Sequence, residues 1–194
     1  MTERQKFPLQ AWVDESIHVA NELYILAAAI APSDPAQLEA CRDRLRALVR
    51  RARNRLHWNS EEEGDLIGIS KTIGSMPLTS IVVTATHMDR RKQERARRKC
   101  LQQLLYRLSA DRVEQVWLES RDAIGNQRDL AMVANLRSTH ALDDALRVDH
   151  LKPLEEPLLW LPDSVAGAVA AAHDGRPWYR APMAHMIDEL ILEL

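Results

Sequence analysis

At 194 residues the chain has room for a single domain over 1–194 with a substantial core and a helical insertion, and is short for two domains. Hydrophobic residues make up 46% and charged residues 28%, which excludes a disordered or fibrous chain. The formal net charge of −2 excludes a uniformly basic protein, so a polyanion would be attracted only locally, by the arginines crowded into residues 42–55 and 90–99.

The opening MTERQKFPLQ shows no apolar leader, and the apolar run 23–31 falls far short of the roughly 20 residues of a membrane span. Both features point to a cytoplasmic protein with no membrane partner. Residues 9–14, LQAWVD, predict a short buried strand that ends on a carboxylate. The run 23–31 is cut by Pro32, Ser33, Asp34 and Pro35 at strand length, giving a second strand. Asp34 as N-cap and Pro35 at the first helical position open a helix to about Arg55, with Leu38, Cys41, Leu45, Leu48, Ala52 and Leu56 on its apolar stripe. Ser60 and Glu63 have capping-box spacing and start a second helix that ends near Gly74.

Residues 79–86, TSIVVTAT, and 113–118, VEQVWL, are β-branched or strand-like. Between them Ala96, Cys100, Leu101, Leu104, Leu105 and Leu108 mark one face of a helix whose other face carries RRKQERARRK. A helix over 128–136 and a weak strand over 146–151 follow. LLWLPDSVAGAVAAAHDG then sets Asp163 in the first turn of an alanine-rich helix ending near Gly175. Met183, Met186, Ile187, Leu190 and Ile191 predict a terminal helix over 182–194. Strands alternating with helices belong to the α/β or α+β classes. Cys41 and Cys100 form no ligand spacing and read as two reduced thiols.

Three acids stand where chemistry commonly sits: Asp14 and Glu119 at or just past strand ends, and Asp163 at a helix start. Taken singly, a first-turn aspartate is more often a stabilising charge and a carboxylate beyond a strand more often a solvated loop acid. The segments WVDES, VWLESRD and LLWLPDSVAG, in this order and spacing, resemble the bacterial family called domain of unknown function 3800, assigned to the ribonuclease-H-like superfold. In that family the first motif continues into glycine, where this chain has Ile17 and then His18. Asp163, Ala166 and Gly167 match the closing motif, and RLHW around His57 resembles a histidine that follows the inserted helix in many members.

The resemblance implies a ribonuclease-H-like α/β fold: a five-stranded mixed sheet, three strands antiparallel and two parallel, flanked by helices, with residues 35–75 inserted between the second and third strands. It implies a metal-dependent nuclease, hydrolysing phosphodiester bonds of DNA or RNA at a two-metal Mg²⁺ or Mn²⁺ site held by Asp14, Glu119 and Asp163. Hard cations prefer such oxygen donors, and their charge offsets the repulsion between clustered carboxylates. Asp129, Asp122 and Glu15 compete for a further acidic place, Asp129 being favoured; Glu15 would point away from Asp14 if the strand persisted. His57 and His18 are candidate general acids or bases among seven histidines that form no HExxH pattern.

Arg91, Arg95 and Arg98 suit phosphate-backbone contact, although a solvated helix face explains them equally simply. Arg121 either holds a phosphate or pairs with Asp122 or Asp129. The alternative function is a non-catalytic nucleic-acid-binding or assembly module that keeps the superfold, with the C-terminal helix as a homodimer contact.

Overall fold

The computed structural model describes residues 7–50 and 53–194. The expected absence of a leader over 1–6 and the placing of Ala52 on a helical stripe lie outside the described residues. In chain order the elements are β1 (Leu9–His18), β2 (Leu23–Pro32), α1 (Pro35–Leu48), α2 (Glu63–Gly74), β3 (Thr79–Thr86), α3 (Gln93–Ala110), β4 (Val113–Glu119), α4 (Ala123–Ser138), β5 (Arg147–Leu151), α5 (Trp160–His173) and β6 (Ile187–Glu193). The strands form one mixed sheet in the order β5-β4-β1-β2-β3-β6. β1, β2 and β3 are an antiparallel meander, whereas β4 lies parallel to β1, β5 parallel to β4 and β6 parallel to β3.

Side chains alternate across the strands and so divide the core in two. Trp12, Ile25, Ala27, Ala29 and Val82 face α1, α2 and α5. Ala11, Val13, Leu26, Val83, Val116 and Leu118 face α3 and α4. α1 and α2 lie between β2 and β3 in the chain. The alanines of β2 and α5 let strand and helix lie close, and α5 is buried along 160–171. No helix among the described residues is long and apolar enough to cross a membrane.

Four expectations are corrected. The sheet has six strands rather than five. The predicted helix over 182–194 does not form: Ala181–Met186 is a 3-10 turn that plugs Met183 and Met186 into the core, and Ile187–Glu193 is β6. Leu190, Leu192 and Leu194 pack on the α3 side, a period of two that the open edge of β3 selects over the helical period. The homodimer contact assigned to that helix therefore loses its element. α1 stops at Leu48, where Val49 turns extended, although Leu56 still reaches the core from an irregular segment. Ser60 makes no capping box, because α2 begins at Glu63 with no side-chain cap.

Candidate functional site

Asp14 lies inside β1 rather than at its end, because the strand runs on to His18 through pairing with β2. Its parallel pairing with β4 stops at Val13↔Leu118. Asp14 is thus the first residue of β1 to project past the end of that ladder, and Glu119, the last residue of β4, stands beside it. Glu119 shares the parity of Trp117, which packs toward α5, so both carboxylates emerge on the α5 face. The Asp14 and Glu119 carboxyls are close enough to share a hydrogen bond.

The third acid comes from above. Pro162 is tolerated in the first turn of α5, and Asp163 follows it, 8% exposed. One Asp163 oxygen accepts from the Trp58 backbone N–H at 2.7 Å, and the other lies 3.1 Å from Nδ1 of His57. One turn further along α5, Gly167 leaves the space filled by the Trp58 indole, which an added Cβ would strike. Asp163 and Gly167, four residues apart on one helix face, together seat the His57–Trp58 pair over the crevice. Arg55 on the same segment approaches Glu119 at 3.6 Å.

The electrostatics agree with this convergence. Burial, then the charges of Glu119 and Asp163, push the Asp14 carboxyl well above the ordinary carboxylate range. Burial also raises Glu119, against the opposing pull of Arg55. The hydrogen bond to Asp163 raises His57. Asp14, Glu119, Asp163 and His57 are therefore brought together. Among the described residues, however, no group of three or more acidic, histidine or cysteine side chains is already arranged to hold a metal ion, since Asp163 commits both oxygens to the 57–58 segment. The donor chemistry fits a hard divalent cation at Asp14 and Glu119, which have oxygen ligands and excess negative charge to offer. A small cavity of about 60 Å³ at the end of β1 and β4 is bordered by Asp14 and Glu119 together with Glu15, Arg97, Ser120 and Arg121; Asp163 and His57 are not among its walls.

The other candidates lie elsewhere. Asp122 is the N-cap of α4, accepting from the Gly125 N–H. Glu15 points to the opposite face, as the persisting strand requires, where Tyr24 donates to it and Arg97 pairs with it. Asp129 is on that face too: it binds the Arg97 guanidinium through both oxygens, at 2.7 and 3.1 Å, and meets Arg121 and His150. Burial would raise its carboxyl, but the hydrogen bonds from His150 and Arg97 hold it down at about 2. Arg121 pairs with Glu94 and Asp129. His18 shares the Asp14 face but meets Ser16 at 2.9 Å, and burial lowers its pKa. Arg91, Arg95 and Arg98 are exposed on the α3 side. Cys41 and Cys100 are free and buried.

Two features escape the sequence reading. Nothing in the chain before or after Arg55 signals its approach to Glu119. Arg97 did carry a signal, for it stands in helical register with Leu101, Leu104 and Leu108 on the buried stripe of α3, where a charge must find a buried partner. No family model, curated protein or solved structure matches the chain.

Proposed function

We propose that the crevice between β1, β4 and α5 is a ribonuclease-H-like centre that hydrolyses phosphodiester bonds of DNA or RNA with the help of Mg²⁺ or Mn²⁺. One observation carries this reading: Asp14, Glu119 and Asp163, from three elements distant in sequence, meet on one sheet face where the β1–β4 ladder ends. The antiparallel meander β1-β2-β3 continued by parallel β4 and β5 supports it, since this is the five-strand arrangement the sequence resemblance implies. Asp14 and Glu119 would hold the cation, whose chemistry when bound is to polarise a phosphoryl oxygen and activate water. Asp163 fixes His57 through Nδ1, which leaves Nε2 to carry a proton to the leaving oxygen. A two-metal version requires Asp163 to release His57 and Trp58.

The test is a panel of single- and double-stranded DNA, RNA and hybrid substrates with Mg²⁺ or Mn²⁺, run beside Asp14→Ala. Cleavage that Asp14→Ala abolishes is the expected result; cleavage that survives the substitution overturns the reading. The commitment of both Asp163 oxygens favours a second reading, a binding module without turnover. Its outcome in the same panel is retention of nucleic acid with no cleavage.

A further inference from the structure

Beyond the acid crevice, the face of the sheet covered by α3 and α4 offers a second surface suited to a polyanion. A groove of about 590 Å³ runs between α3 and α4, within the range of roughly 300–1,000 Å³ typical of organic-ligand sites. Arg95, Arg98 and Arg128 line it together with Ala131, Met132 and one exposed acid, Glu94. Arg95 and Arg98 make no side-chain hydrogen bond or ion pair among the described residues, and Arg128 only approaches Glu94 at 3.8 Å. Arg97 is different: its guanidinium is consumed by Glu15 and Asp129. It lines both this groove and the small cavity at the end of β1 and β4 that Glu15, Asp14 and Glu119 border.

Three exposed guanidiniums beside Ala131 and Met132 match a strand of alternating phosphates and bases. Duplex is a poorer match, because its bases are stacked inside and could not reach Met132. Resting on the hydrolytic reading of the crevice on the other face of the sheet, we propose that the α3–α4 groove holds a flanking stretch of single-stranded nucleic acid, phosphates on Arg95, Arg98 and Arg128 and a base over Met132 and Ala131.

Fluorescence anisotropy with a labelled single-stranded oligonucleotide about 12 nucleotides long, in EDTA and on the full chain carrying Asp14→Asn, tests this without any need for cleavage. Replacing Arg95, Arg98 and Arg128 together by alanine is expected to weaken binding about tenfold or more and to reduce the salt slope by about 2. The triple lysine variant should recover most of both, since the phosphate contact rests on charge. Arg46→Ala, on the α1 surface, should change neither. Unchanged binding by the alanine triple, failure of the lysine triple to recover it, or equal competition by a nucleoside triphosphate would overturn the proposal. Groove-dependent binding without cleavage would sink the hydrolytic reading alone, whereas cleavage with groove-independent binding would sink this one alone.

Discussion

On the α3–α4 face of the sheet, Glu15, Arg97 and Asp129 are buried together and satisfied together, with Tyr24, Arg121 and His150 closing the cluster. On the α5 face, one residue back along the same strand, Asp14 meets two further acids, and Arg55 approaches Glu119 rather than Asp14. The first arrangement drives a carboxyl down to about 2; the second drives one up. Burial pushes both carboxyls up; at Asp129 the hydrogen bonds from His150 and Arg97 outweigh it, whereas at Asp14 the charges of Glu119 and Asp163 add to it. The guanidinium-paired cluster anchors the fold, and the acid-rich one stores repulsion that a bound cation or a proton relieves.

The largest effect expected from this contrast is on the paired face. Asp129→Asn leaves Arg97 buried with half its countercharge and should destabilise the protein by about 3–5 kcal/mol, measured by urea denaturation near neutral pH. The Asp129 carboxyl lies below its unfolded value of 3.8, so its contribution is complete above that value and fades as pH falls through about 2. The cost of the substitution should fade over the same interval. A cost under about 1 kcal/mol at neutral pH would show that the cluster is no anchor, and the contrast between the faces would collapse.

A smaller effect sharpens the other side. Gly167→Ala drives a methyl into the Trp58 ring and should cost about 1–3 kcal/mol, as overpacking does. Because the Trp58 N–H and His57 both rest on Asp163, displacing the indole should also unseat His57. Trp fluorescence should shift, and any cleavage activity should fall by more than the loss of folded protein explains. A variant that loses stability but keeps full activity per folded molecule would separate the 57–58 segment from the site.

The sequence made the strands and most helices legible because their burial is one-sided and periodic: β2 is a closed apolar run and α3 a clean stripe. The terminal segment was misread because Met183, Met186, Ile187, Leu190 and Ile191 satisfy a helical period, while the alternation of Leu190, Leu192 and Leu194 satisfies a strand. The choice was made by the free edge of β3, which no local pattern encodes. Asp14, Glu119 and Asp163 stood out at expected strand ends and a helix start only together with the family resemblance, and β1 in fact runs past Asp14 to His18. Arg55 was not, since its approach to Glu119 depends on how an irregular segment crosses the sheet. That Asp129 would face Arg97 rather than Asp14 was not legible, because its distance along the chain from Glu119 says nothing of which face of the sheet α4 covers.

The smallest expected effect is the most direct test of stored repulsion. Asp14 has a folded pKa above its ordinary 3.8, so the folded state binds its proton more tightly than the unfolded chain does. Stability tied to that proton is complete below the ordinary value and is lost as pH rises through the folded value. Asparagine keeps the shape and removes the charge. Asp14→Asn should therefore be more stable than the parent by about 1 kcal/mol at mildly alkaline pH without divalent cations, and the difference should vanish in acid. Added Mg²⁺ or Mn²⁺ should stabilise the parent and not the variant, because the ion binds only where the carboxylate remains. Thermal unfolding across pH, with and without the ion, measures all three. If Asp14→Asn is the less stable protein even at alkaline pH, the three acids do not repel one another, and the α5 face is as well satisfied as the face behind it.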